Sequence, residues 1–385
     1  MRGAVLLVVL GACGFEVTGT SVPRDGQVVA DTQVADAAVD TIPFDTPPGI
    51  SAYRKAITID HTKVAGADQA DFPVWIDITS ADLAAHAQAN GKDIHFLAAD
   101  GTTKLDHELA SWTPATGRVT AWVRIPSLDH DTDTKIYVRY ANPALAPAEN
   151  PVNVFKANYV AVWHLDDAVN ASTIVDATAT HAGTPAFTAA TTRVAGQLGT
   201  GFQFTGSNDK IAFSNPLAGN SEHTISVWVN QAAGVNHTAC IVSMGTPTAG
   251  QARWLHGHYD NSSVAIGFYA RDYTPNPAQV IDGAGWTRLD WVHEGGNNVT
   301  RIYKNGVQVA NSPSTLNGTI DTQGTAGAIG FAPEPAYGDN TGYEGIIDEL
   351  RIAKVKRTAG WIATEFANQS SPATFYAVGA EEPLP

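Results

Sequence analysis

The stretch Ile225-Ser226-Val227-Trp228-Val229-Asn230 decides the fold class, because its apolar positions recur at every second residue. Ile225, Val227 and Val229 share one face and Ser226, Trp228 and Asn230 the other, the period of a half-buried strand rather than of a helix. The same alternation continues outward. Leu289, Trp291 and His293 alternate with Asp290 and Val292, and between Arg301 and Val309 the pair Asn305-Gly306 supplies the positive φ angles of a tight hairpin turn. Nearer the N-terminus Val119, Ala121, Val123 and Ile125 alternate with Thr120, Trp122 and Arg124, and Tyr53 to Ile59, Pro73 to Ile78, Ile94 to Leu97 and Lys135 to Tyr140 also read as strands. Helical signals are confined to Ala81 to Asn90, stopped by Gly91, and Thr358 to Asn368, ending before Pro372. Short strands separated by turn residues predict an all-β protein built of sandwiches.

Composition agrees with two β domains and a tail. The chain has 385 residues with Gly 35 and Pro 21, and only 16% are charged. Its net charge of −15 provides no global field for nucleic acid or an anionic bilayer, so nucleic-acid binding is excluded as a reading. Cys240 lies in the apolar run Ala239-Cys240-Ile241-Val242 and reads as a small buried hydrophobe. Cys13 differs: after Arg2 and an apolar run from Ala4 to Leu10, the segment Leu10-Gly11-Ala12-Cys13 resembles a bacterial lipoprotein signal, in which the cysteine is lipidated and becomes the new N-terminus. The run is too short to span a bilayer. Residues 14 to 49 then carry Glu16, Asp25, Asp31, Asp36, Asp40 and Asp45 against Arg24 alone, with few large apolar groups, and read as a flexible acidic tether. The expected organisation is a signal peptide over 1–12, the lipidated cysteine and tether over 13–50, a small β-sandwich over 51–150, a larger β domain over 151–380 and a tail over 381–385.

The larger block carries Tyr159-Val160-Ala161-Val162-Trp163-His164-Leu165-Asp166, Val194-Ala195-Gly196-Gln197-Leu198-Gly199, Gly201-Phe202-Gln203-Phe204-Thr205-Gly206, Ile225-Ser226-Val227-Trp228-Val229, Tyr303-Lys304-Asn305-Gly306 and Ile347-Asp348-Glu349-Leu350-Arg351-Ile352. Together these resemble the bacterial laminin-G-like branch of the concanavalin-A-like superfamily. That resemblance implies a two-sheet jelly roll that binds glycans or proteins, often with a structural calcium ion. The smaller block, with Tyr53-Arg54-Lys55-Ala56-Ile57-Thr58-Ile59, Asp71-Phe72-Pro73-Val74, Gly91-Lys92-Asp93-Ile94 and Tyr137-Val138-Arg139-Tyr140-Ala141-Asn142-Pro143, resembles a family known as domain of unknown function 2341. It implies an architecture and no chemistry.

Retaining glucanases of the same superfamily carry Glu-x-Asp-x-x-Glu on one strand, so that nucleophile and acid flank the sugar. The nearest segment, Glu344 to Glu349, has carboxylates at 344, 348 and 349, the wrong alternation for one cleft. No Gly-x-Ser-x-Gly elbow is present. A glycoside hydrolase with an unfamiliar site stays as the alternative to a non-catalytic binding protein, and a structural envelope or adhesion component as a third reading. His61, His86, His95, His107 and His130 follow no pattern and read as surface or loop residues.

Two sets of residues are candidates for a site. Ile346, Asp348, Leu350 and Ile352 share one face by alternation, which places a carboxylate on an apolar face, and Val160, Val162, His164 and Asp166 share a parity at the start of the domain. With first and last strands adjacent, Asp166 and Asp348 are expected to hold a structural calcium ion, Asp167 and Asp176 contributing from the adjoining loop. The alternative is that Asp348 accepts backbone N–H groups or pairs with Arg193, and Asp166 caps a turn. The segments Trp254 to Asn261 and Tyr269 to Asn276 concentrate aromatics beside polar groups. Trp254, His256, His258, Tyr259, Arg271 and Tyr273 are the expected ligand-binding residues, with core packing the alternative for the aromatics. His256 and His258 are expected on one strand face. Trp163, Trp228, Trp286 and Trp291 read as core. The expected partners are a glycan or a surface protein, with membrane contact only through the lipid anchor, and the expected location is the cell envelope, lipid-anchored, the outer membrane being favoured because Gly14 follows the cysteine, or else the extracellular space.

Overall fold

The structure is a computed structural model that describes residues 52–188, 190–206, 208–332 and 341–384. Cys13, the signal segment and the tether lie outside the described residues. Among the described residues no helix is long and apolar enough to cross a membrane.

The first sandwich packs a four-stranded antiparallel sheet on a three-stranded one. Strand Gln69–Thr79 runs beside Arg118–Leu128, with Val74 opposite Val123 and Trp75 opposite Trp122, and His107–Thr113 completes the smaller sheet. The alternation read at Val119, Val123 and Ile125 holds, since all three enter the core with Ile57, Phe72, Ile76 and Val138. The expected helix from Ala81 is shorter, Ala81–His86. Buried Asp93 takes the Gln88 and Ala141 N–H groups at 3.0 and 2.7 Å, drawing the chain off the helical path before Gly91.

The larger sheet of this sandwich is closed by the far end of the chain. Strand Tyr376–Leu384 pairs antiparallel with Ala52–Ile59, Tyr376 opposite Ile59 and Leu384 opposite Ala52. A domain boundary at 380 therefore cuts a strand, and residues 381–384 are part of a sheet. Phe375 and Tyr376 are buried in the first core, and the Tyr376 hydroxyl accepts the Asp77 N–H at 2.6 Å.

Between these two segments the chain builds the jelly roll, a nine-stranded sheet facing a seven-stranded one. Strand His223–Gln231 is central in the first, paired on one side with Thr287–His293 and on the other with Glu344–Ala353. Ile225, Val227 and Val229 point into the inter-sheet core with Trp163, Leu289 and Trp291. The Asn305-Gly306 hairpin forms as read, with φ of 52° and 78°. Tyr159–Trp163 lies beside the last strand of the jelly roll, Trp163 opposite Leu350, so first and last strands are neighbours.

Trp228 is not in that core. It lies on the other face of its strand, stacked on Phe366 of helix Ala359–Ser370 with its Nε1–H donating to Gln369 at 2.7 Å. This helix is wedged between the sandwiches: Trp361 enters the first core, and Asn368 exchanges hydrogen bonds with the Trp75 backbone. Trp286 is only partly buried.

Candidate functional site

The seven-stranded sheet presents its other face away from the core. Ile211, Phe213, Met244, Leu255 and Ile329 point inward. Their neighbours Lys210, Ala212, Ser243, Ala252, Trp254, Ala326 and Ala328 line a groove of about 190 Å³. Most of the lining is small side chains, joined by Phe331 and by Trp254, which is only 2% exposed. The Lys210 ammonium lies 5.0 Å from the centre of the Phe331 ring, a cation–π contact that keeps a charge at the groove edge. The space is below the ~300–1,000 Å³ typical of drug-sized ligands, enough for one ring-sized group.

Next to the groove runs an aromatic row. The Trp254 ring centre is 5.0 Å from Tyr269 and 5.2 Å from His256, which stacks on Tyr259 at 5.1 Å and 23° off parallel. The Trp254 Nε1–H donates to Asp272 at 2.7 Å. His256 is 1% exposed, and among the described residues neither of its ring nitrogens has a hydrogen-bond partner. Burial pushes its pKa down to about 3, so it is a neutral imidazole near pH 7.

Of the six expected ligand-binding residues, Trp254, His256 and Tyr259 are brought together and the others are not. His258 turns the opposite way from His256. Across the neighbouring strand Ala239 opposes His258 and Cys240 opposes His256, so Gly257 is an extra residue that reverses the alternation. A Cβ at 257 would meet the Gln231 side-chain oxygen at 1.9 Å, so a side chain there would require Gln231 to move. His258 instead bonds Asp282 through Nδ1 at 2.8 Å. Arg271 and Tyr273 oppose Phe268 and Ile266, which are core residues; Arg271 bonds the Ala270 carbonyl and Tyr273 the Asn311 carbonyl.

A second irregularity corrects the reading of the aspartates. Glu349 has φ of 52°, and the register against strand His223–Gln231 slips between Ser226 and Trp228. The core face is therefore Ile347, Leu350 and Ile352, and Asp348 belongs to the opposite face from Leu350 and Ile352. There it is covered by the turn at Gly196 to Gly199 and accepts the Leu198 N–H at 2.9 Å, while its Oδ1 has no partner. Burial and then the neighbouring Glu349 push its pKa well up from the usual carboxylate value. Asp176 accepts backbone N–H groups from Val162, Thr178, Thr180 and His181. Among the described residues, no group of three or more ligand atoms lying within 4.8 Å of one another includes Asp166 or Asp348. The arrangement around Asp348 is the backbone-accepting alternative.

Glu344, Asp348 and Glu349 share no cleft. Glu349 is buried in an ionic chain that alternation alone does not reveal. It accepts from His164 at 2.8 Å and from Arg351 at 2.8 Å; Arg351 reaches Glu365 on the wedge helix at 3.3 Å, and Glu365 takes Arg288 at 2.7 Å. His164 also reaches Glu108 of the first sandwich at 3.2 Å. Burial opposes a charge on His164, but the Glu349 and Glu108 carboxylates outweigh it and hold its pKa well above the usual imidazole value.

The first-sandwich histidines are not uniformly superficial. His95 and His107 are each 1% exposed and pack at 6.1 Å. His61 bonds Asp133 and His130 bonds Asp68, both at 2.7 Å, in two partly exposed His–Asp groups at the edge of that sandwich.

Comparison with known proteins matches residues 90–173 to the family described as domain of unknown function (DUF2341), and residues 205–363 to the Concanavalin A-like lectin/glucanases superfamily. No curated protein matches the chain. Similar solved structures include domain 4 of AbnA, an extracellular arabinanase from Geobacillus stearothermophilus in complex with arabinotriose (21% identity, TM-score 0.40, covering 55% of this chain and 98% of that one). The binding domain of Paraclostridial Mosquitocidal Protein 1 is 10% identical with a TM-score of 0.40 over 54% of this chain and 52% of that one. Trypanosoma rangeli sialidase in complex with the inhibitor DANA is 13% identical with a TM-score of 0.39 over 69% of this chain and 42% of that one. The chain thus spans about half or less of the last two.

Proposed function

We propose that this chain, which carries a DUF2341 domain followed by a domain of the concanavalin A-like lectin/glucanase superfamily, is a non-catalytic bacterial surface protein that binds glycans in the outward groove of its seven-stranded sheet. One observation carries the reading. The groove is lined by small side chains with a phenyl ring and the nearly buried Trp254 indole among them, and the Lys210 ammonium group lies over that phenyl ring. A sugar ring offers an apolar face to such a lining and hydroxyls to Lys210 and to the Ser243 oxygen.

Cleavage by the usual retaining or inverting glycosidase route uses two carboxyl groups ~5–9.5 Å apart across the sugar. Among the described residues the groove lining includes no carboxylate, and the non-catalytic half of the proposal is based on that. The lipoprotein-like segment ending at Cys13, with its acidic tether, belongs to the same proposal: it would hold the two sandwiches off the envelope surface.

Glycan arrays probed with the chain, together with reducing-sugar release from the bound glycans, test the proposal. The expected result is selective retention on a subset of glycans with no release of reducing ends. An absence of any retained glycan contradicts the binding role, and release of reducing ends contradicts the non-catalytic one. Metabolic labelling with palmitate, lost in Cys13→Ala, tests the anchor.

A further inference from the structure

Where the chain passes from the first sandwich to the second, beside the short helix Pro151–Val154, lies another groove of about 400 Å³. Its charge is opposite to that of the chain. Lys156 and Lys354 line it, both are exposed, and neither forms an ion pair among the described residues. Arg357 stands behind its wall, 4.8 Å from the centre of the Tyr159 ring, with its guanidinium also donating to the Ala157 carbonyl.

The nearby acids are engaged with other groups. Asp176 is 4% exposed and enclosed by backbone N–H groups and the Thr178 hydroxyl. Glu365 takes the Tyr159 hydroxyl at 2.8 Å and is held between Arg288 and Arg351. Among the described residues the lining contains no carboxylate. In a chain of net charge −15, a concavity with two unpaired ammonium groups selects anions by charge complementarity. Its volume exceeds the needs of a bare ion, and Asn153, Thr180 and Tyr159 add amide, hydroxyl and ring surfaces of the kind that hold sugars.

We propose that this seam groove binds an acidic saccharide of the uronic-acid type, its carboxylate lying between Lys156 and Lys354. The site is separate from the outward groove, so either can fail without the other.

Calorimetric titration of the chain with trigalacturonate and with its methyl ester tests this, in the wild type, in the double variant Lys156→Glu/Lys354→Glu and in Ala212→Trp, which obstructs only the outward groove. The acid oligomer is expected to bind and the ester to bind at least ~10-fold more weakly. The double charge reversal should lose at least ~10-fold, Ala212→Trp should leave the affinity unchanged, and affinity should fall as salt rises from ~0.02 to ~0.3 M. Both lysines are exposed, so an unchanged melting temperature is expected to show that the double variant folds. No binding of the acid oligomer, equal binding of the ester, indifference to the charge reversal, or loss in Ala212→Trp would each overturn the proposal. So would inorganic sulfate binding as tightly as the oligomer, which would mark a plain anion site.

Discussion

His256 combines full burial with two ring nitrogens unpartnered among the described residues, a combination that penalises its protonation. Two other buried histidines share the tendency. Burial, then Arg253, pushes His293 down to about 3, and burial, Arg253 and His293 together hold His223 well below the usual range. In the unfolded chain all three titrate near about 6.5. Below that pH the unfolded state binds more protons, so these groups contribute stability that is present above ~6.5 and is lost as the pH falls toward 3. His164 has the opposite sign: its contribution is present below ~6.5 and lost as pH rises through its raised folded value. Melting temperatures measured from pH 7 down to pH 4 should therefore fall, and His256→Phe, which keeps the ring stacked on Tyr259, should reduce the slope. A flat profile would contradict the assignment of neutral histidines. Asp348, buried beneath the Gly196 turn where it accepts the Leu198 N–H and its pKa is pushed up, should tolerate Asn with little change in melting temperature, and chelators should leave that temperature unmoved. A rise on adding calcium would instead favour the ion expected between Asp166 and Asp348.

At the scale of the element, strand alternation was readable from the sequence and its interruptions were not. Ile225, Val227 and Val229 face the core as their spacing requires. Alternation carried past Glu349 and Gly257, however, assigns the wrong face to Asp348 and to His258, because each bulge arises from pairing with a strand distant in sequence. Gly257 was the available signal, since an isolated glycine inside a strand marks bulges. Glu349 had none. Likewise Arg288, Asp290, Glu349 and Arg351 alternate with core residues exactly as a solvated face does, yet they are at most 3% exposed beneath the wedge helix. Only Trp228 on that same face hinted at a covering element. The groove residues Lys210, Ala212 and Phe331 carry no motif at all; they become a site when three strands place small side chains side by side. The ionic chain makes a definite prediction: Glu365→Ala leaves Arg288 and Arg351 buried without that partner and should cost ~3–5 kcal/mol in denaturant unfolding. A cost below ~1 kcal/mol would mean the network is far better solvated than its burial indicates.

The molecule as a whole is interleaved rather than serial. The last strand, Tyr376–Leu384, belongs to the first sandwich, so the jelly roll is inserted between that sandwich's penultimate and final elements. Removing residues 371–385 takes away Phe375 and Tyr376, where truncating a single buried aromatic typically costs ~3–5 kcal/mol. Against a usual total of ~5–15 kcal/mol, the first sandwich should open, and limited proteolysis should cleave within residues 52–140 of the truncated chain while sparing the intact one. Equal resistance of both would contradict the closing role of that strand. Within this frame the jelly roll presents its outward groove on the sheet remote from the wedge helix, which contacts the nine-stranded sheet through Trp228. The binding claim rests on that groove, and titration of an array-selected glycan into the wild type and into Ala212→Trp tests it most directly. Saturable heat in the wild type and none in the variant, at equal melting temperatures, is the predicted result; the same affinity in both would contradict it.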